Sequence, residues 1–483
     1  MATRPFLMDF ETLLRAVKGR RVSPSWGGAG FVSVCIDSRE AAEGALFVAL
    51  PGSVSDGHLY VEGAFKAGAA CALVEEAKLA EKALKLAETA EKYGRGMLAV
   101  KNTLRALQDA AAAYLDKFPG LLRVGITGSS GKTTTKEISA AIIGREKKVV
   151  MNRGNLNSET GLPLSVFEVR SCHEVGVFEL GMNRPGEIAE LARVLKPCIA
   201  LITNIGSAHI GLIGSKAGIA EEKKNIFAEF SGGETALIPG DDEYRDFLAR
   251  GLRGKVSFYG LDGVSLSRDL GLSGSEISWA GEKILFTLPG KHNVRNALAA
   301  AAIAREVPVS DRAIREGLAS VRALFGRGEI LEGRVTVIRD CYNANPESSA
   351  QALDFCDNLE YGGRKIYVMG AMLELGEDSR EAHRELGRRL ASSRADKVFL
   401  YGEETEAAAA EMEAALASLP EAGEGLPFFH TNSMDRLARE LGAFIREGDL
   451  VLLKGSRGCA LERLTDTLLG GDPAESAGRG GGK

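Results

Sequence analysis

The run Gly125-Ile126-Thr127-Gly128-Ser129-Ser130-Gly131-Lys132-Thr133-Thr134-Thr135 joins glycines, a lysine and hydroxyls in the order a phosphate cradle needs. An apolar stretch, 121–126, precedes it and Lys136-Glu137-Ile138 follows, so it reads as strand, glycine loop, helix. In such a loop successive backbone N–H groups turn toward a polyanion, Lys132 neutralises phosphate charge, and the Thr133 hydroxyl can ligate Mg²⁺. The usual phosphate-loop spacing wants glycine five residues before Gly131, where this chain has Ile126. The loop is a variant, and nucleotide binding is the chemistry it implies.

Other polar groups stand where an α/β protein collects ligands. Glu179 is the next-to-last residue of an apolar run, where a carboxylate is costly to bury unless something pairs with it, and where it could hold Mg²⁺ or its water. Asn204 and His209 follow the run 199–203; His209 reads equally as a metal ligand or as a surface-loop histidine. Lys223 and Lys224 lie in a charged stretch that reads as a solvated helix face. Asn293 stands where it could cap a helix or read an adenine edge. Asp340 closes another strand, where an acid commonly bonds a ribose hydroxyl, and Lys454-Gly455-Ser456-Arg457 follows a further one. Asp37-Ser38-Arg39 and Asp56-Gly57-His58 mark the first hundred residues, where Arg39 could fork onto a phosphate or simply pair with Asp37.

The elements that must carry these groups alternate. At 483 residues, several domains are expected. Short strands and helices over 1–100 include a strand at 31–36 and a surface helix over 75–92. Residues 101–325 alternate strand and helix, with a helix starting at Pro185, which implies a largely parallel sheet with active groups at strand carboxyl ends. From 326 to 470 a second alternation gives a doubly wound domain, and 471–483 has too little apolar content to fold. The formal charge of -5 leaves no basic footprint for nucleic acid, and no apolar run can span a bilayer. Seven cysteines without a C-x-x-C pair suit a reducing compartment, so a cytoplasmic protein is expected, monomeric by default.

Taken together, Thr-Gly-Ser-Ser-Gly-Lys-Thr, Gly154-Asn155-Leu156-Asn157, Glu179-Leu180-Gly181-Met182, Asn204-Ile205-Gly206-Ser207-Ala208-His209, Tyr342-Asn343-Ala344-Asn345-Pro346, Met372-Leu373-Glu374-Leu375-Gly376 and Lys454-Gly455-Ser456-Arg457 resemble the Mur ligase family, ATP-dependent amide-forming enzymes of cell-wall precursor synthesis. In that family the shortened glycine loop is the normal form. The resemblance implies three α/β domains: an N-terminal UDP-binding domain, a central phosphate-loop ATP domain with a parallel sheet, and a C-terminal Rossmann-like doubly wound domain. It implies addition of D-alanyl-D-alanine to a UDP-N-acetylmuramoyl-tripeptide through an acyl phosphate, with ATP and two Mg²⁺ ions. Tyr-Asn-Ala-Asn-Pro favours the dipeptide-adding branch over a sister ligase that adds a single amino acid. A folate polyglutamate ligase would have no reason for the Asp-Ser-Arg domain, and an ATP-switched binding module would need one metal site only.

The same resemblance implies roles. Gly128, Ser129, Ser130, Gly131, Lys132, Thr133 and Thr134 would hold ATP, with Asn293 and Asn296 on the adenine side, Arg327 as interdomain arginine and Asp340 at the ribose. Thr133, Glu179, His209 and Lys223 would serve the metals, Lys223 as a carbamate. Ser38, Arg39, Asn155, Asn157, Asn343, Asn345, Lys454, Ser456 and Arg457 would meet the other substrates. The chain departs from the family pattern at Arg339, Cys341, Ala371 and Glu222.

Overall fold

A computed structural model of the chain describes residues 5–23, 26, 28–52, 55–81, 85–260, 264–417 and 426–470; the tail 471–483 lies outside them. Three larger sheets follow one another along the chain. The first has five strands in the order Arg20–Arg21, Gly96–Val100, Cys71–Glu75, Ala45–Val48 and Ser33–Cys35, parallel except at the Arg20–Arg21 edge. The expected single strand at 31–36 is in fact divided: Gly30–Phe31 pairs with Met8–Asp9 in a small separate sheet, and Ser33–Cys35 joins the five-stranded one. The helix expected over 75–92 is likewise broken, into Glu76–Leu79 and Leu86–Tyr93. Composition favours helix throughout that stretch, but Glu75 belongs to a buried strand, so tertiary pairing overrides propensity there.

The central sheet is entirely parallel, in the order Lys255–Tyr259, Thr235–Pro239, Ile199–Ile202, Leu122–Thr127, Val175–Glu179, Val149–Met151. Leu122–Thr127 sits between two strands that come later in the chain, so the topology switches direction beside it. Ligands bind at the carboxyl end of such a switch point, which is where the glycine loop emerges. The helix Lys132–Ile143 that follows the loop packs against Lys291–Glu306 and Asp311–Ser320. That return of the chain brings residues near 293 back to the loop.

Two local expectations are corrected here. Helix Glu187–Leu195 starts after Gly186 and not at Pro185, because the Glu222 carboxylate, from a different helix, accepts from the Gly186 and Ile188 N–H groups at 2.8 and 2.9 Å. Asn293 does not cap Lys291–Glu306; Gly290 occupies the N-cap, and the Asn293 amide donates to the Pro289 carbonyl at 2.8 Å. A three-stranded antiparallel meander, Ser265–Asp269, Ser275–Trp279 and Glu282–Phe286, is absent from the sequence reading. Its signal was the alternation Ser-Glu-Ile-Ser-Trp before Ala280-Gly281, whose φ values of 49° and 82° match a two-residue hairpin turn.

The third sheet runs Glu329–Glu332, Thr336–Asp340, Leu450–Lys454, Lys365–Gly370, Lys397–Tyr401, Phe428–Thr431, parallel except for the first strand. Asp340 and Lys454 are paired terminal residues of neighbouring strands in this register. No helix among the described residues is long and apolar enough to cross a membrane.

Candidate functional site

The glycine loop opens into a cavity of about 830 Å³ between the central and C-terminal sheets. Its inner wall is built by close contacts. Gly128 has φ 151°, and a Cβ there would lie 1.8 Å from Thr203 Oγ1, so no side chain is possible where the loop passes the neighbouring strand end. The Ser129 N–H donates to the Asn204 carbonyl at 3.0 Å and the Ser130 N–H to Asn204 Oδ1 at 3.1 Å. These two N–H groups therefore brace the loop and do not face the cavity as freely as the sequence pattern suggested. Lys132, at the start of its helix, arches back to donate to the Gly128 carbonyl at 2.8 Å. Burial pushes its ammonium below the ordinary lysine value, with Glu179 opposing and Arg327 reinforcing the shift. Lys132, Thr133 and Thr134 line the cavity, with Asn293 and Asn296 across from them. Asn296 Nδ2 donates to Asn293 Oδ1 at 3.1 Å, and Asn296 Oδ1 would lie 2.3 Å from any Cβ on Gly131.

Glu179 is buried, yet each carboxylate oxygen is satisfied. Thr133 Oγ1 donates to one at 2.7 Å and Asn157 Nδ2 to the other at 2.7 Å. Asn152, which the sequence reading missed, clamps the same residue by its backbone: Asn152 Oδ1 accepts from the Glu179 N–H at 2.9 Å, and its Nδ2 donates to the Glu179 carbonyl at 3.0 Å. A carboxylate, a helix-start hydroxyl and an amide thus meet at the cavity wall, an oxygen-rich set that suits a hard divalent cation keeping some of its waters. Asn155 lines the same wall.

Lys223 is not on a solvated face. It is 1% exposed, and its Nζ makes one weak contact, 3.8 Å from Met182 Sδ. Met182 lines the cavity and Lys223 stands behind it. Burial drives the Lys223 ammonium well below its ordinary value; Lys132 adds to the shift and Glu222 opposes it. Burial therefore favours the neutral form of the amine, the form that can act as a nucleophile. Its helix is anchored by Glu222, whose bonds to the Gly186 turn explain why an acid can precede the lysine. Below the ordinary lysine pKa the unfolded chain binds a proton that the folded chain resists, so stability rises with pH through that window. Lys223→Met, similar in volume and apolar, is expected to raise Tm at neutral pH in metal-free, CO2-depleted buffer and to flatten that pH slope; a scanning calorimeter reads both.

The opposite wall comes from the third sheet. Lys454, 2% exposed, pairs with Asp340 at 2.9 Å and donates to the Asn343 carbonyl at 2.9 Å. His292 lies close by from the central side, and burial lowers its pKa, with Asp340 opposing and Lys454 reinforcing. The Arg327 guanidinium stacks 4.1 Å over the Tyr342 ring, which fixes it at the mouth. Asn345 lines the cavity but its amide caps helix Pro346–Asn358, completing a capping box with Ser348. Ser456 is buried outside the cavity, accepting from the Leu373 N–H at 2.9 Å. Arg457 reaches the rim, paired with Glu462 at 2.6 Å.

His209 also lines the cavity, with φ 67° and Nδ1 3.2 Å from the Glu374 carboxylate. Ser38 and Arg39 lie in the first domain, away from this cavity; Arg39 is 88% exposed and its guanidinium forks onto Asp37 at 2.5 to 3.0 Å. Among the described residues no three His, Cys, Asp or Glu side chains already converge as a metal cage.

A phosphate loop at the switch point of one parallel sheet, facing the strand ends of a second doubly wound sheet, defines a nucleotide-binding α/β protein. Three family descriptions match in chain order: "Mur ligase family, catalytic domain" over residues 31–115, "Mur ligase middle domain" over 126–304, and "Mur ligase, glutamate ligase domain" over 326–457. The UDP-N-acetylmuramoyl-tripeptide–D-alanyl-D-alanine ligase of Treponema pallidum is 42% identical over 465 residues, covering 96% of this chain and 99% of that relative. The crystal structure of MurF from Acinetobacter baumannii superposes with a TM-score of 0.81 at 28% identity, covering 95% of this chain and 98% of that one. The MurF ligase of Thermotoga maritima, crystallised in complex with ADP, gives 0.75 at 29% identity over 90% and 96% of the two chains. The chain belongs to the Mur ligase family.

Proposed function

We infer that the chain is an ATP-dependent ligase that joins D-alanyl-D-alanine to a UDP-N-acetylmuramoyl-tripeptide, releasing ADP and phosphate. The observation that carries this reading is a cavity whose walls are the phosphate loop on one side and the Asp340–Lys454 pair on the other. The near full-length likeness to relatives named for that reaction supports the choice of substrates.

The γ-phosphoryl group of ATP passes to a terminal carboxylate oxygen of the tripeptide as its bond to the β-phosphate oxygen breaks, giving an acyl phosphate and ADP. The free amine of the dipeptide then attacks the acyl carbon, loses a proton and expels inorganic phosphate, leaving an amide. Two anions must meet in the first step, so positive charge at the junction decides the rate. Lys132 supplies it from the loop, helped by the N-terminal end of its helix. Asn293 and Asn296 hold the base side, Asp340 the ribose, and Arg327 crosses to the phosphates. Asn155 and Asn157 face the arriving tripeptide; Asn343, Lys454 and Arg457 face the dipeptide or the nucleotide, with Asn345 and Ser456 shaping the loops that present them. Ser38 and Arg39 meet the uridine nucleotide in the first domain. Thr133, Glu179, His209 and a carbamate on Lys223 would hold two Mg²⁺ ions, which when bound neutralise the transferring phosphoryl group. Closure of the two walls excludes water that would hydrolyse the acyl phosphate. The protein works in the cytoplasm without nucleic acid, a reading that its net charge and seven free thiols support, with the monomer as the default state.

The test is phosphate release by purified protein with ATP and Mg²⁺, omitting each substrate in turn. Release that requires both, with a product heavier by one dipeptide less water, is expected. Release supported by a single amino acid instead of the dipeptide would move the chain to the sister activity, and release indifferent to both would refute ligation.

A further inference from the structure

The loop that braces the phosphate loop is itself gripped from the other domain. Glu347 lies in the first turn of Pro346–Asn358, on the C-terminal sheet. Its two carboxylate oxygens accept from the Ser207 N–H at 2.7 Å and the Ser207 hydroxyl at 2.8 Å. Immediately before Ser207, Gly206 is squeezed between the two domains. A Cβ on it would lie 3.1 Å from the Glu347 carboxyl and 3.2 Å from Ser129 Cβ. Gly206 in turn donates its N–H to Ser129 Oγ at 2.8 Å. A continuous path therefore runs from a C-terminal carboxylate through Ser207 and Gly206 into the phosphate loop.

Two residues further on, the grip repeats. Glu374, also from the C-terminal domain, places its carboxylate 3.2 Å from His209 Nδ1, an ion-pair approach to a buried nitrogen that makes no aligned hydrogen bond. His209 and Glu374 both hold φ 67°, a strained conformation for a non-glycine residue that persists where surroundings enforce it. A carboxylate on one imidazole nitrogen sets the tautomer and turns the other nitrogen toward its ligand.

We propose that Glu347 and Glu374 are positioning residues that clasp the 204–209 loop, so that the phosphate loop and His209 take their working geometry only when the C-terminal domain is docked. The proposal rests on the ligase reading for its kinetic arm and on geometry alone for its structural arm. A misplacement of about 1 Å can cost roughly 10²-fold in rate, so Glu347→Ala is expected to lower kcat by roughly 10- to 100-fold with a smaller change in KM for ATP. Glu347→Gln keeps one acceptor and the shape, and recovers part of the loss. Glu347→Ala/Ser207→Ala is no slower than Glu347→Ala, since the two act through one contact. Glu347→Ala/Glu374→Gln has a larger radius of gyration by small-angle scattering in ADP and Mg²⁺ than the parent protein. Unchanged kcat in Glu347→Ala, multiplying losses in the double variant, or identical scattering would each overturn the clasp. A parent protein that releases no phosphate with both substrates would refute the ligase reading, and scattering would still decide the clasp.

Discussion

Lys132→Ala is expected to lower ATP-dependent ligation by roughly 10³-fold or more while leaving the thermal transition near that of the parent. The side chain ties no second element to the loop, since its one hydrogen bond is to the Gly128 carbonyl of its own loop. The loop keeps its shape without it: Gly128 is held against Thr203, and Ser129 and Ser130 are tied to Asn204 through their backbones. What is lost is the fixed positive charge where two anions must approach. Lys136, one helical turn on, does not take over, because it is fully buried and its Nζ is held by the Asn152 carbonyl at 2.6 Å. Single-turnover phosphate transfer, with circular dichroism melts alongside, reads both halves. Substantial amide formation by this variant would remove the phosphate-loop assignment.

Lys223→Ala should lose roughly 10²- to 10³-fold in kcat, and millimolar formate or acetate should restore part of it. The physical basis is the setting of the amine: buried, weakly contacted and driven toward its neutral form. A neutral amine adds to CO2 and gives up a proton, which turns a cation into a carboxylate-like group without changing the sequence. A small acid entering the space left by alanine would supply the same oxygens. A ¹³C resonance from labelled CO2, present in the parent and absent in Lys223→Ala, checks the modification independently of turnover. Full activity of Lys223→Ala without added acid would return the residue to a structural role. The contrast with Lys223→Met is informative, because that variant is expected to gain stability while losing activity, the signature of a group kept at a cost to the fold.

The strands and the loop were legible for a local reason. Leu122–Thr127 is a mostly apolar run, broken only by Arg123 before its closing Thr127, followed at once by glycines and a lysine, and every requirement of a phosphate cradle falls inside one window. Asp340 and Lys454 were legible as strand ends by the same logic. Lys223 was not: Glu-Glu-Lys-Lys is locally a solvated helix face, and only the family resemblance singled it out. Its burial follows from Glu222 reaching the Gly186 turn, 36 residues away in the chain, a contact without local signature. Asn152 escaped notice because its role lies in bonding the Glu179 backbone across the sheet.

By itself the sequence determined the alternating α/β class, the phosphate loop with Lys132 and Thr133, and the carboxylates closing apolar strands, because these depend on residues adjacent in the chain. Tertiary structure alone decided which of them share a cavity. It put Asn296 beside Gly131, gave the Ser129 and Ser130 N–H groups to Asn204, and set Glu347 on Ser207 and Glu374 against His209. Periodicity and propensity act over a few residues. Pairings between chain segments far apart in the sequence are chosen by burial and hydrogen-bond satisfaction summed over the whole fold.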